Sequence, residues 1–233
     1  MTTFSDLKQA CFDANVQLNR SGLVRFTFGN ASVSDPAAAV FAIKPSGVPY
    51  NLLRPADMVV VDFEGRVVDG SLRPSSDTPT HAWLYREWSR IGGVVHTHAT
   101  YSVAWAQAQR DIPVLGTTHA DYLPCDVPCT PPMPDERVSG DYEHQTGVHI
   151  TECFRLRGLS PELVPMVLVG SHGPFTWGET PQLAIHHAEA LEEIARMAFL
   201  TLQINPSTSR LQPALLRKHH QRKHGTDAYY GQP

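Results

Sequence analysis

Ile91-Gly92-Gly93-Val94-Val95-His96-Thr97-His98 runs directly into Ala99-Thr100-Tyr101-Ser102-Val103-Ala104-Trp105-Ala106-Gln107. The first run is apolar and β-branched up to His96 and reads as a strand over 91–98. A helix begins by Ser102 and runs to Gln107. Strand passing into helix is the step from which α/β domains are built. The strand also carries chemistry. Side chains alternate faces along it, so His96 and His98 project on one side. Two imidazoles so placed can reach one cation at about 2.0–2.1 Å from each nitrogen. By itself the pair also fits two hydrogen-bonded histidines at a strand end.

The same alternation of elements extends both ways. Residues 5–20 read as a helix with Leu7, Ala10, Cys11, Ala14 and Leu18 on one stripe. Residues 23–28 read as a strand ending at Gly29-Asn30, and 40–43 as a second strand before the turn Lys44-Pro45-Ser46-Gly47. Residues 58–63 and 66–68 form a hairpin about Glu64-Gly65. Pro74-Ser75-Ser76-Asp77-Thr78-Pro79 starts a helix that runs to about Trp88. Further helices are expected over 140–158, closed by Gly158, over 182–203 and over 211–223, with a buried strand at 166–169. Leu183, His187, Leu191, Ile194, Ala198 and Leu202 should face inward from the long helix. No linker or repeat interrupts the pattern, so 1–233 reads as a single α/β domain.

A net charge of −4 gives no reason to expect nucleic acid or an anionic membrane as partner. Apolar runs such as 166–169 are far too short to span a bilayer. The N-terminal segment is an amphipathic helix pattern rather than a secretory signal, so a cytoplasmic protein with reduced thiols is expected. Cys125 and Cys129 lack the second pair that would complete a metal site.

A second stretch joins the histidine pair. Val167-Leu168-Val169-Gly170-Ser171-His172-Gly173-Pro174 is a buried strand that breaks at glycine and presents His172. Three imidazoles match the open, three-ligand site of a catalytic zinc, and suit Mn2+ or Co2+ as well. Three further turns carry donors: Gly29-Asn30, Lys44-Pro45-Ser46-Gly47 and Pro74-Ser75-Ser76-Asp77. The last opens a helix, where backbone N–H groups and the dipole favour an anion such as phosphate. Each turn alone also fits ordinary capping, and Asp77 is a plain N-cap residue. Asp121, in Thr117-Thr118-His119-Ala120-Asp121-Tyr122, follows the metal strand and its helix and could return to the same pocket as a general base. His219 and Arg222 share a face of the basic last helix. That helix is either a solvated surface or an arm that reaches an active site, its own or a neighbouring subunit's. No GxGxxG dinucleotide loop occurs.

FGNAS at 28–32, IKPSGV at 43–48, PSSDTPTH at 74–81, GGVVHTHA at 92–99, GTTHADY at 116–122, SHGPFTWG at 171–178 and KHGTDAYYGQ at 223–232 together resemble the class II aldolase/adducin family, over nearly the whole chain. The resemblance implies a mixed, largely antiparallel central sheet flanked by helices, and a homotetramer with active sites shared between subunits. It implies zinc on His96, His98 and His172, with Asp77 at or near the metal. It implies a phosphate pocket from Gly29, Asn30, Ser46, Gly47, Ser75 and Ser76, with Lys44 nearby. Asp121 and Tyr230 would be the acid/base pair, with Tyr230, His219 and Arg222 supplied by the adjacent subunit through the 205–233 helix and tail. Within the family the pattern resembles the enzymes that interconvert L-ribulose 5-phosphate and D-xylulose 5-phosphate at C4 by retro-aldol and aldol steps through a metal-bound enediolate. The pentose route served, arabinose, ascorbate or another, is left open. An aldolase of the fuculose-1-phosphate type carries glutamate where this chain has Asp77. A non-catalytic adducin-like scaffold would not need all three histidines. Leu123 to Asp126, residues 131–134, and His144-Gln145 depart from the family pattern.

Overall fold

The computed structural model describes residues 3–225 and 228–229. Tyr230, Gly231 and Gln232 fall outside the described residues. Helix α1 (Phe4–Arg20) opens with a reciprocal cap. The Thr3 hydroxyl accepts the Asp6 N–H at 3.2 Å, and the Asp6 carboxylate accepts the Thr3 N–H at 3.2 Å. Leu7, Cys11, Ala14 and Leu18 form its buried stripe, as their spacing requires. Buried Asn15 ties the helix to the sheet: its amide donates to the Ala31 carbonyl at 2.9 Å and accepts the Ala31 N–H at 3.0 Å.

Strands β1 (Asn30–Asp35), β2 (Val40–Ile43), β3 (Val59–Asp62) and β4 (Val67–Asp69) come next, then helix α2 (Thr78–Glu87), strand β5 (Gly93–His96) and helix α3 (Thr100–Gln107). Short helices α4 (Thr117–Ala120) and α5 (Asp135–Val138) precede α6 (Tyr142–Arg157), which ends on Gly158 at φ 63°. Strands β6 (Met166–Leu168) and β7 (Pro174–Gly178) lead to the long α7 (Pro181–Ile204) and to α8 (Pro213–His224).

The seven strands form one sheet in the order β4-β3-β2-β1-β5-β7-β6, and every neighbouring pair of strands is antiparallel. The largely antiparallel sheet expected from the resemblance is therefore present; the parallel element among the described residues is a single bridge, Cys129 to Leu168. Alternation along the strands splits the core between the two faces. Phe41, Ile43, Val61 and Val94 pack with α2 and α6, whereas Val40, Ala42, Val60 and Val95 pack with α1 and the first half of α7. Among the described residues no helix is long and apolar enough to cross a membrane.

Several sequence expectations shift. Residues 23–28 form no strand; Phe26 sits at φ 56° and Phe28 is exposed, so β1 starts at Asn30, where the sequence pattern predicts a strand to end. The left-handed residue breaks the extended run that the apolar alternation suggests. Strand β5 stops at His96, and Thr97 and His98 already belong to the connection into α3. On α7, Leu191, Ile194 and Ala198 are buried as expected, but Leu183 is 38% exposed. It lies in the first turn, outside the face that meets the sheet. The register sets up the next section: Asn30 pairs with His96, and His96 with Phe175, across three adjacent strands.

Candidate active site

His96 ends β5, His98 stands two residues on, and His172 lies in the turn between β6 and β7. Their ligating atoms all fall within 4.8 Å of one another. His96 Nδ1 donates to the Pro174 carbonyl at 2.9 Å, so its Nε2 presents a lone pair. That nitrogen lies 3.0 Å from His98 Nε2. Two imidazole lone pairs aimed at each other repel unless a proton or a cation sits between them. The Phe175 ring stacks on His96 at 4.3 Å between centroids and backs the cluster with apolar surface. Burial pushes the His172 imidazole down to about 4 and also lowers His98, while the neighbouring His96 ring adds to both. Lowered basicity keeps these rings neutral, the state in which imidazole ligates. A third-row contact orients His172: the Tyr142 hydroxyl lies 3.3 Å from its Nδ1. The donor set, its tautomer and its neutrality fit a divalent cation.

A cavity of about 370 Å³ opens over these rings. It is also lined by Gly29, Asn30, Lys44, Ser46, Gly47, Ser75, Ser76 and Asp77, so all three donor-bearing turns converge there. They are knitted to one another. The Ser75 N–H donates to the Lys44 carbonyl at 3.0 Å, the Ser46 N–H to the Arg73 carbonyl at 2.9 Å, and the Asn30 amide to Ser75 Oγ at 3.1 Å. Gly29 has no substitute in this arrangement. It sits at φ +75°, and a Cβ there would lie 2.8 Å from the His96 carbonyl oxygen and 2.9 Å from Val24 Cγ1. Lys44 is 2% exposed, and burial lowers its ammonium to about 8. Among the described residues it has no carboxylate partner, and a buried cation so placed is suited to a bound anion.

Asp77 stands at the N-cap position of α2, yet its side chain makes no cap hydrogen bond. It turns instead to the Asn30 amide at 2.6 Å. Burial works to raise its carboxyl, but the His96 and His81 imidazoles and the Asn30 amide outweigh it and hold the group below its usual range. The plain capping reading of Asp77 is thus replaced by a carboxylate committed to the cavity.

Asp121, His219 and Arg222 do not line this cavity. They form a second cluster, in which Asp121 accepts from His219 Nδ1 at 2.9 Å and from Arg222 at 3.1 and 2.7 Å. The expectation that Asp121 returns to the pocket of its own chain is therefore corrected: it caps α4 and faces α8. Burial tends to raise its carboxyl, but Arg222 and His219 hold it below the usual range. Tyr230 lies outside the described residues.

The cavity wall also holds Thr27, Phe28, Tyr142 and Glu143, to which sequence reasoning gave no role. Thr27 and Phe28 adjoin Gly29 and could have been found as its neighbours. Tyr142 and Glu143 come from the start of α6, with no local signal that this end meets the histidines.

Residues 9–199 match the family model described as Class II Aldolase and Adducin N-terminal domain. The chain is 51% identical over 226 residues to the L-ribulose-5-phosphate 4-epimerase UlaF of Salmonella typhi, covering 97% of this chain and 98% of that protein. It is equally similar to the protein of the same name from Salmonella paratyphi B (strain ATCC BAA-1250 / SPB7), at 51% identity over the same shares of the two chains, 97% and 98%. Among solved structures, an L-fuculose 1-phosphate aldolase superposes with a TM-score of 0.80 at 24% identity, over 95% of this chain and 97% of that one. The L-fuculose 1-phosphate aldolase from Glaciozyma antarctica PI12 gives 0.77 at 16% identity, over 98% and 87%. These two show the shared fold. The three-histidine cavity on an antiparallel sheet is that of a metal-dependent class II aldolase-type enzyme. This chain belongs to the class II aldolase/adducin family, and its half-identical full-length relatives carry the name L-ribulose-5-phosphate 4-epimerase.

Proposed function

We propose that the chain is an L-ribulose-5-phosphate 4-epimerase, interconverting L-ribulose 5-phosphate and D-xylulose 5-phosphate. The observation that carries this reading is the convergence of His96, His98 and His172 on one cavity that is also lined by three donor-bearing turns suited to an anion. Identity of 51% to relatives of that name supports the choice of reaction within the family.

The reaction explains the residue set. The ketone is at C2 and the centre to invert is at C4, so the C4–H bond is not acidified by the carbonyl. Inversion therefore proceeds by breaking and re-forming C3–C4. His96, His98 and His172, with Asp77 beside them, would hold a divalent ion such as Zn2+, which would supply Lewis-acid stabilisation of negative charge developing on the C2 and C3 oxygens. Mn2+ and Co2+ suit the same ligands. Ser46, Ser75 and Ser76 bind the 5-phosphate through their hydroxyls, and Gly47 and Ser76 through their N–H groups, beside the Gly29-Asn30 turn and aided by the α2 dipole and Lys44. They keep hold of glycolaldehyde phosphate while its aldehyde turns over and presents the opposite face. Asp121 and Tyr230 move the C4 hydroxyl proton, one for each epimer.

Asp121 is bound to His219 and Arg222 and stands apart from its own cavity, so we assign this α4–α8 unit, with Tyr230, to the cavity of an adjacent subunit in a homotetramer. The reading places the enzyme in the cytoplasm and calls for no nucleic acid or membrane.

The test is an assay of purified protein with L-ribulose 5-phosphate, D-xylulose 5-phosphate and L-fuculose 1-phosphate. Interconversion of the first two is expected. Cleavage of the third without epimerisation would make the chain an aldolase.

A further inference from the structure

Behind Asp77 runs a second polar line. Asp77, His81 and Tyr85 follow one another at one-turn intervals along α2, and Asn30 and Ser32 share one face of β1 opposite them. Ser32 Oγ lies 2.7 Å from His81 Nδ1 and 2.7 Å from the Tyr85 hydroxyl. All three residues are buried, His81 completely. Yet His81 Nε2 has no hydrogen-bond partner; with Asn30 Oδ1 it makes up the buried side-chain polar atoms without one among the described residues. Leaving such an atom unpartnered carries its full desolvation penalty, so it calls for a reason.

Counting protons assigns the tautomer. Ser32 and Tyr85 each bring one hydroxyl proton. If His81 Nδ1 carried a proton, it would donate to Ser32 Oγ, and one of the two hydroxyl protons would be buried with no acceptor. If Tyr85 donates to Ser32 and Ser32 donates to Nδ1, both hydroxyl protons have an acceptor and Nε2 is the one unmet atom of the trio, whereas the Nδ1–H form leaves both a hydroxyl proton and the Nε2 lone pair unmet. The ring proton then resides on Nε2, and the orphan atom is a donor. Burial, which pushes the imidazole down to about 3, keeps the ring neutral. The titratable neighbours that act on it are the Asp77 carboxylate and the His96 ring. His96 Nδ1 is committed to Pro174, and Asp77 is the acceptor one turn away. Among the described residues the Asn30 amide is the side-chain donor that Asp77 already has.

We infer that His81 is a positioning residue for Asp77: the Tyr85–Ser32 pair sets it as the Nε2–H tautomer, and that N–H is the donor the Asp77 carboxylate takes up when the three-histidine site holds its cation. The inference rests on the reading of that site as a metal site. Through this bond His81 keeps Asp77 turned to the cavity and away from the N-terminus of α2.

The test has two arms, neither of which uses the sugar substrate. Ring 15N NMR of the full-length wild-type protein at neutral pH reads the tautomer of His81; Nε2–H is expected, and Nδ1–H overturns the inference. In Tyr85→Phe the imposed direction is lost, and the Nδ1–H form should become populated. Co2+ affinity is then measured for His81→Asn and His81→Gln. The asparagine amide reaches the Nδ1 position and the glutamine amide the Nε2 position. His81→Asn should weaken Co2+ binding about tenfold, in the range of lost outer-shell partners, while His81→Gln stays within about threefold. Equal losses in both, or none in His81→Asn, overturn the inference. Failure to epimerise ribulose 5-phosphate would count against the proposed reaction while leaving both arms readable.

Discussion

Asp121 and Arg222, 101 positions apart, meet in a two-pronged ion pair, Nε to Oδ1 at 3.1 Å and Nη2 to Oδ2 at 2.7 Å. His219 Nδ1 adds a third bond to the same carboxylate at 2.9 Å. Both sides of the pair are largely shielded, at 13% and 23% side-chain exposure. The carboxylate is thus the anchor that docks α8 onto α4. Asp121→Asn should loosen α8 by on the order of 1–3 kcal/mol. Hydrogen exchange over 213–224 should speed up accordingly, while far-UV circular dichroism stays near wild type. Unchanged exchange in that helix would show that α8 is held by other contacts. The Asp121 carboxyl is held below its ordinary value, so the anchor persists above about pH 4 and fails as pH falls through the lowered value.

If that unit serves a neighbouring cavity, two inactive proteins should complement. His98→Ala, which spoils the receiving cavity, and Asp121→Asn, which spoils the donated unit, unfolded and reassembled together, would yield mixed oligomers in which a cavity of the Asp121→Asn chain meets the unit of a His98→Ala chain and is intact. Epimerisation above either parent is the expected outcome. Verified mixed oligomers without recovery would place a complete site in each chain.

Gly29→Ala probes the wall between the phosphate turns and the histidines. The new methyl would meet the His96 carbonyl at 2.8 Å in a left-handed backbone. A cost of roughly 1–3 kcal/mol is expected from backbone strain, and more from the clash. Because Asn30 follows directly, substrate affinity should fall along with the urea midpoint. A variant with wild-type stability and KM would mean that the turn adapts freely.

Buried histidines make acid stability steep. His119 is pushed down to about 4 by burial, as is His187, and His81 to about 3. Their folded values lie below the ordinary value near 6.5, so the unfolded chain takes up protons first. Stability is therefore intact above about pH 6.5 and declines as pH falls toward the folded values. Each such imidazole removes up to about 1.4 kcal/mol per pH unit across that window. Urea midpoints between pH 7 and pH 4.5 should fall well before carboxylates titrate; a flat profile down to pH 5 would contradict these burials.

Much of the site was legible because its parts are local. The H-x-H spacing at His96 and His98 survives even though β5 ends between them, since the chain after a strand end still carries the second ring to within 3.0 Å of the first. Glycine-bounded turns marked Gly29, Gly47 and His172 by backbone need alone. Long-range facts were not legible. Nothing local tells that β1 pairs with β5, which brings Asn30 opposite His96. Nothing near Tyr142 says that α6 starts beside His172. The apolar alternation at 23–28 suggested a strand, but Phe26 at φ 56° turns those aromatics to the surface. Asp121 illustrates the same limit: its place after the metal strand suggested the pocket, while α8, almost a hundred residues on, claims its carboxylate.

The most direct measurement is metal content and epimerase activity on one preparation, before chelation, after it, and after return of Zn2+. One divalent ion per chain, lost together with L-ribulose-5-phosphate epimerisation and restored with it, is the predicted result; His98→Ala should bind no stoichiometric ion. Full epimerisation by metal-free protein, or an ion retained after all three histidines are replaced, would contradict the account.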